Sequence, residues 1–166
     1  MNRDVDSPGT ATQRIAAITL DERLVVRRSP EIEHERAVAV FDLIEQNSFD
    51  PASGQQGPFN VRLGLRDGRV LVMDIADTTG QPLEAVTLPL MPLRSIIKDY
   101  FTVCESYFQA IKTATPSRIE AIDMGRRGLH DEGSELLRER LADKVAIDKE
   151  TARRLFTLIC VLHIRS

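Results

Sequence analysis

The stretch that decides the fold lies within residues 116–164, and its centre reads Ile122-Asp-Met-Gly-Arg-Arg-Gly-Leu-His-Asp-Glu-Gly-Ser-Glu135. On a helical wheel of about 100° per residue, one side of this stretch is apolar. That side carries Ile119, Ile122, Leu129, Leu136, Leu137 and Leu141. Gly125 and Gly133 lie in the same stripe. Because glycine costs a helix roughly 1 kcal/mol relative to alanine, we expect another segment to approach the helix backbone closely there.

The segment Gly125-Arg-Arg-Gly128 allows two interpretations. Gly128 could end one helix in the left-handed conformation, or the helix could continue, straight or kinked, through both glycines. The apolar positions before Gly125 and after Gly128 share one register. This agreement favours the continuous or kinked helix.

A polar flank beside the apolar stripe supplies the candidate site. Arg126, Arg127 and His130 are the anion-binding candidates, because arginine forks suit phosphate or carboxylate groups and histidine is the commonest general base. The rest of this polar cluster comprises Asp123, Asp131, Glu132, Ser134 and Arg138. The spacing also lets Asp123 pair with Arg127 and Arg127 pair with Asp131. A solvated helix flank of ordinary ion pairs is therefore the competing interpretation.

A second helix is predicted after Asp148, which is a suitable N-cap with Glu150 in the first turn. Apolar residues occupy every side of it, namely Ala152, Leu155, Phe156, Leu158, Ile159, Cys160, Val161, Leu162 and Ile164. Such a helix is either the central helix of the domain or half of a subunit interface, and the second alternative predicts a homodimer through this C-terminal helix. Its apolar run is far shorter than the ~20 residues that cross a bilayer, so no membrane span is predicted.

Alternation and capping signals predict the elements before this helix pair. In chain order they are a strand at residues 14–20, a helix from Ser29 to Gln46, a loop at 47–58, a hairpin turning at Asp67-Gly68, a strand at 84–90 and a long helix from Pro92. Strands followed by consecutive helices predict an α+β fold. We expect an antiparallel sheet, a hairpin or meander of three to four strands, packed against a layer of three to four helices.

The hairpin register is predicted from its turn. A three-residue loop, Arg66-Asp67-Gly68 with Gly68 left-handed, pairs Leu63 with Leu71 and Val61 with Met73. This register keeps one face of the hairpin apolar.

Composition describes an ordinary globular protein. Of the 166 residues, 42% are apolar and 28% are charged. A chain of this length can bury roughly two-thirds of its unfolded surface without disulfides. We expect residues 1–12 to be a disordered tail and residues 13–166 to form a single domain. The tail lacks the apolar stretch of a signal peptide, so a cytoplasmic location is predicted. Cys104 and Cys160 fall on apolar helical faces and are predicted to be buried free thiols.

Charge distribution disfavours a nucleic-acid partner. The net charge is −3, and each arginine pair (Arg27-Arg28, Arg126-Arg127 and Arg153-Arg154) has carboxylates nearby. Proteins that bind the phosphate backbone usually carry a basic patch, which would arise here only if folding brought these pairs together.

Metal and cofactor sites are not predicted. Glu31, His34 and Glu35 share a helical face and resemble half of a carboxylate-bridged dimetal site, but such a site requires a second Glu-x-x-His, which the sequence lacks. The sequence also has neither a phosphate loop nor a Gly-x-Gly-x-x-Gly motif, so no nucleotide cofactor is predicted.

Three runs resemble a known family. They are Ile-Glu-Ala-Ile-Asp-Met-Gly-Arg-Arg-Gly-Leu-His from Ile119, Glu-Gly-Ser-Glu-Leu-Leu-Arg-Glu-Arg-Leu from Glu132 and Thr-Ala-Arg-Arg-Leu-Phe-Thr-Leu-Ile-Cys-Val-Leu-His from Thr151. They are similar to an uncharacterised alphaproteobacterial family, number two-six-two of the UPF series. The resemblance covers most of the chain from Arg14 onward. It implies a bacterial cytoplasmic protein and carries no activity, cofactor or catalytic residue with it.

Two functions stay open on the sequence. One is a non-catalytic binding or regulatory protein acting through protein contacts with an unidentified partner, because the terminal helix is apolar all round and no recognisable catalytic set is present. The other is a small enzyme or a phosphate- or anion-binding protein that uses Arg126, Arg127 and His130. Ser134 shows no nucleophile-elbow pattern, so the sequence favours binding over catalysis.

Overall fold

The computed structural model describes residues 12–21 and 29–163. The predicted tail at residues 1–12 lies outside these ranges except for Thr12, and Arg27-Arg28 and Ile164 lie outside them as well. The elements within the described residues are, in chain order, β1 (Ile15–Leu20), α1 (Pro30–Glu45), β2 (Asp50–Pro51), β3 (Phe59–Arg66), β4 (Val70–Asp77), β5 (Pro82–Pro89), a 3-10 turn (Met91–Leu93), α2 (Arg94–Thr113), α3 (Pro116–Leu141), β6 (Val145–Ala146) and α4 (Lys149–His163).

The predicted α+β class is confirmed. Strands β3, β4 and β5 form the antiparallel meander, and β1 joins its edge beside β3 in parallel orientation. In the described part of the chain the main sheet therefore has the mixed order β1-β3-β4-β5. A parallel neighbour requires a crossover connection, and α1 lies in that connection.

Alternate residues of the meander are buried beneath the helices. The buried face consists of Phe59, Val61, Leu63, Leu71, Met73, Ile75, Val86 and Leu88. Helix α4 packs against α1, α3 and β3, and α2 packs against α3. The terminal helix is thus the central helix of the fold, as one of its two interpretations predicted.

The other interpretation, a subunit interface through α4, loses its support. Leu155, Phe156 and all residues from Leu158 to Leu162 are buried within the chain itself. The apolar surface that motivated a homodimer through this helix is therefore already used by α1, α3 and the sheet.

Both predicted helix caps are present. The Ser29 hydroxyl accepts a hydrogen bond from the Ile32 amide at 3.2 Å, and the Asp148 carboxylate accepts one from the Thr151 amide at 2.8 Å. Each side chain satisfies a backbone donor that the first helical turn leaves unpaired. These caps position the helices that carry the site described below.

The predicted hairpin register is wrong by two residues. Leu63 pairs with Met73, and Arg66 pairs with Val70. Asp67 and Gly68 both adopt positive φ, 57° and 66°, so the turn is built on two left-handed residues where the prediction allowed one. A shift of two residues keeps every side chain on its predicted face, because the side-chain period of a strand is two.

The predicted loop at residues 47–58 is anchored to the rest of the fold. Asp50 and Pro51 pair with Ala146 and Val145 in a short antiparallel ladder that the sequence did not predict. Phe49 is fully buried in the core.

Helix α3 is continuous from Pro116 to Leu141, which confirms the favoured interpretation. A Cβ atom added at Gly133 would lie 2.3 Å from the Phe156 ring of α4, so the expected close approach occurs there, with an aromatic ring as the neighbour. The expectation was wrong at Gly125, which is exposed and whose added Cβ would meet no atom of the described chain within 4 Å.

Candidate functional site

A cavity of about 380 Å³ lies where α1, α3 and α4 meet α2. It is lined by His34, Glu35, Val38, Ala39, Asp42, Tyr100, Arg126, Arg127, His130, Arg153, Arg154 and Thr157. The three anion-binding candidates predicted from the sequence, Arg126, Arg127 and His130, therefore share one concavity. Its volume falls within the roughly 300–1,000 Å³ typical of small-molecule sites.

Asp123 holds both of the α3 arginines that line the cavity. Its Oδ1 accepts hydrogen bonds from Arg126 Nη2 at 2.6 Å and Nε at 3.0 Å, and its Oδ2 lies 3.1 Å from Arg127 Nε. The Arg126 guanidinium also lies 4.7 Å from the centre of the Tyr107 ring, in a cation–π contact. The Asp123–Arg127 pair was predicted from its i, i+4 spacing and is confirmed.

Helix α4 contributes a second arginine pair. Arg153 pairs with Asp131, which the sequence had assigned to Arg127. Arg154 Nη1 lies 2.8 Å from Glu150 Oε1, and its Nε lies 3.8 Å from Asp42 Oδ2. Two of the three Arg-Arg pairs in the sequence are thus brought to the same cavity.

The carboxylates that orient these arginines lie mostly outside the cavity wall. Asp123, Asp131 and Glu150 pair with the guanidinium groups but are not lining residues. Among the described residues, the carboxylates that line the cavity are Glu35 and Asp42. The site therefore presents pre-oriented N–H donors and only a modest net charge.

His130 is enclosed by three neighbours. Its Nε2 lies 2.7 Å from Thr157 Oγ1, and its ring centroid lies 5.3 Å from that of Tyr100 and 5.2 Å from that of Phe156. Burial first, and then the charges of Arg153, Arg126 and Arg154, lower the pKa of His130 to about 4. Near neutral pH the imidazole is uncharged, so it offers the cavity a polar ring and no positive charge.

Glu35 reaches the cavity from α1. Partial burial raises the pKa of its carboxyl group, and the positive charges of Arg126 and His34 oppose that rise. Among the described residues, Glu35 has no hydrogen-bond or ion-pair partner. The sequence pattern singled out Glu35 only as part of a possible metal site. Within residues 12–21 and 29–163, no group of three potential metal ligands comes together.

Three residues of the predicted polar cluster lie apart from the cavity. Ser134 is buried, and its hydroxyl donates a hydrogen bond to the His130 carbonyl. Arg138 donates from Nε to the Ile147 carbonyl at 3.0 Å, which ties α3 to the segment before α4. Glu132 is exposed and does not line the cavity.

The chain matches known sequences over nearly its whole length. The family model described as "Uncharacterised protein family (UPF0262)" matches residues 12–165. The chain belongs to this family. A UPF0262 protein of Rhodopseudomonas palustris strain HaA2 is 58% identical over 156 residues, which is 94% of this chain and 95% of the relative. A UPF0262 protein of Rhodospirillum rubrum is 60% identical over 93% of this chain and 94% of the relative. A UPF0262 protein of Paramagnetospirillum magneticum is 60% identical over 92% of this chain and 97% of the relative.

The family description names no activity, so membership in UPF0262 leaves the function to the geometry. No solved structure matches the chain. In the part of this UPF0262 protein that the structure describes, no helix is both long and apolar enough to span a membrane. All residues lining the cavity fall within the segment matched by the family model.

Proposed function

We propose that this UPF0262 protein is a cytoplasmic, non-catalytic binding protein whose ligand is a small molecule carrying an anionic group. The observation that carries the proposal is the convergence of Arg126, Arg127, Arg153 and Arg154, from two adjacent helices, on one cavity. Arginine presents five N–H donors in a planar fork that matches phosphate and carboxylate oxygens. Each guanidinium keeps donors beyond those used by its acidic partner.

Recognition in this site depends on directed hydrogen bonds more than on a positive field. Asp123, Asp131 and Glu150 already balance much of the arginine charge while fixing the side-chain geometry. Pre-oriented donors lose less conformational entropy on binding. The same charge balance supports the prediction that nucleic acid is not the ligand, because phosphate-backbone binding depends on a concentrated positive charge.

The proposal favours binding over catalysis because the neighbouring nucleophiles are not activated. Burial raises the pKa of the Cys104 thiol to about 11, and it also raises the pKa of the fully buried Cys160. The Ser134 hydroxyl is engaged with a backbone carbonyl. A catalytic thiol would need the opposite shift, toward a lower pKa.

A thermal-shift screen against inorganic phosphate, pyrophosphate and phosphorylated metabolites tests the proposal. A ligand at 100 times its Kd stabilises the native state by about 2.7 kcal/mol. We expect Arg127→Gln to weaken the binding of a hit about tenfold or more, because a charge-assisted hydrogen bond contributes roughly 1.5–3 kcal/mol. Arg127 is suited to the test because its side chain is 58% exposed, so the fold does not depend on its burial.

Arg140→Gln is the matched control for this screen. Arg140 lies on the same helix, is exposed and does not line the cavity. We expect its variant to bind like the wild type. Equal affinities for the Arg127 and Arg140 variants, or no stabilisation by any anionic compound, would contradict an anion site in this cavity.

The second proposal is that the protein acts through protein contacts made by a surface of α1 in place of α4. Phe41 of α1 is 65% exposed and lines a groove of about 820 Å³ together with Val40, Ile44 and Arg14. An exposed phenylalanine beside such a groove favours a protein-binding face. Sedimentation velocity at micromolar concentration tests whether the protein forms a homodimer through this face. If it does, the wild type should sediment as a dimer and Phe41→Ser as a monomer.

A further inference from the structure

The acidic groups around the cavity divide into two kinds. Asp123, Asp131 and Glu150 pair directly with arginines. Glu35 lines the cavity with those arginines and lies within the electrostatic reach of Arg126, yet it has no hydrogen-bond or ion-pair partner in the described chain. Of the two carboxylates that line the cavity, Asp42 lies 3.8 Å from Arg154, and the half-buried carboxylate of Glu35 is left unmatched.

An unmatched, partly desolvated carboxylate is costly unless something else binds it. Arg126 acts on Glu35 only through its charge, and its side-chain hydrogen bonds in the described chain run from Nε and Nη2 to Asp123. His130 does not bind Glu35 either, because its Nε2 is engaged with Thr157. A cationic group placed in the cavity would provide the missing partner for Glu35.

We infer that the ligand is zwitterionic, with its anionic group on the arginines and a protonated amine on Glu35. This inference rests on the proposed anion site and adds the second half of the ligand. The cavity joins the two kinds of group because α1 supplies Glu35 while α3 and α4 supply the guanidinium groups. A volume of about 380 Å³ accommodates a small molecule of this type.

Matched pairs of probes test the inference by isothermal titration calorimetry. Each pair consists of an ω-aminoalkylphosphonate and the alkylphosphonate of the same length, with two, three and four carbons. We expect at least one aminoalkylphosphonate to bind about tenfold more tightly than its partner, as a charge-assisted contact with a partly buried carboxylate would give.

Substitutions on α1 assign the preference to Glu35. We expect Glu35→Gln to abolish the tenfold preference and to bind the alkylphosphonate at least as tightly as the wild type does, because it removes a negative charge from the cavity. Its thermal midpoint should equal or exceed that of the wild type, because it removes a desolvated carboxyl group whose pKa is raised by folding. Glu45→Gln, at an exposed position on the same helix that does not line the cavity, is the control and should keep the preference.

The possible failures are distinguishable. Equal binding of both members at all three lengths would overturn the zwitterion and leave the anion site in place. A preference that survives in Glu35→Gln would overturn the role of Glu35. No binding of any of the six compounds would overturn the anion site and the zwitterion together.

Discussion

The neutral imidazole of His130 lies between the arginines of the cavity and the aromatic rings of Tyr100 and Phe156. In the unfolded chain the imidazole of this residue has its ordinary pKa of about 6.5. In the folded chain, burial first and the nearby arginines second lower that pKa to about 4. Between these two values the unfolded state binds more protons. The stability that His130 contributes is therefore complete above pH 6.5 and is lost as the pH falls toward 4.

The first prediction concerns His130→Gln. At pH 7 we expect the variant to be about 1–3 kcal/mol less stable, because it loses the ring contacts with Tyr100 and Phe156. This deficit should shrink as the pH falls from 6.5 to 4, by at most on the order of 3 kcal/mol, since only the wild type gains a proton at this position when it unfolds. Urea unfolding at several pH values measures the difference.

Leu88→Ala serves as the control for that series, because Leu88 is a buried residue of β5 that carries no ionisable group and does not line the cavity. Its stability difference from the wild type should stay nearly constant across the pH range. A His130→Gln deficit that also stays constant from pH 7 to pH 4 would contradict the neutral, buried imidazole.

The lining of the candidate cavity was predictable from the sequence to the extent that its residues share one helix. Arg126, Arg127 and His130 were identified because the α-helical period places them on adjacent faces of a single turn. Arg153, Arg154 and Glu35 reach the same cavity from other helices. The packing of α1 and α4 against α3 is set by long-range contacts, which the spacing within one helix does not encode.

At the level of whole elements, the contact between α3 and α4 depends on a glycine. Gly133 lies against the Phe156 ring, which is fully buried and packs edge-on against Tyr100 and His130. The ring has little room to move because its neighbours surround it. The glycine is therefore a requirement of helix packing, and its helix-propensity cost is offset by the close approach.

The second prediction compares alanine substitutions at two glycines of α3. Gly133→Ala should destabilise the protein by about 1–3 kcal/mol through overpacking, partly offset by up to about 1 kcal/mol of helix propensity. Gly125→Ala, at an exposed position of the same helix with open space around it, should be neutral or stabilising by up to about 1 kcal/mol. Chemical denaturation at pH 7 measures both changes.

A double-mutant cycle with Phe156→Leu checks the cause. If the ring is the obstacle, Gly133→Ala should cost less in the Phe156→Leu background than in the wild type. An equal cost in both backgrounds would assign the effect to the helix backbone and contradict the packing argument.

Helices and strands were predicted well where the spacing of apolar residues or a helix cap defines them. They were predicted less well where the pairing of one strand with another defines them. The N-caps Ser29 and Asp148 were identified because each satisfies a donor within three residues. The predicted register of the hairpin at Asp67 was wrong by two residues. Alternation of apolar and polar residues determines which face of a strand is buried, but the turn determines how far the two strands are offset. The ladder between Asp50 and Ala146 was missed because two paired residues leave no pattern in the sequence.

For the whole molecule, the sheet and the helices share one hydrophobic core. The buried cluster is continuous from Ile15 of β1 through the meander and α2 to Leu162 of α4. Because α4 touches both β3 and the flanking helices, neither layer can lose its packing without exposing the other. A single domain over residues 13–166 stays a prediction, and the shared core of the described residues is the reason to expect it.

The last prediction follows from that shared core: unfolding in urea should be one cooperative transition. The six phenylalanines, labelled as 4-fluorophenylalanine, provide ¹⁹F NMR reporters in different elements. Phe59 reports on β3 and Phe156 on α4, and both are fully buried. Their native signals should disappear with the same midpoint as the helical signal in circular dichroism, because loss of α4 uncovers the sheet face. If Phe59 kept its native signal at urea concentrations where Phe156 had lost its own, the sheet would be an independent folding unit and the single domain would be wrong.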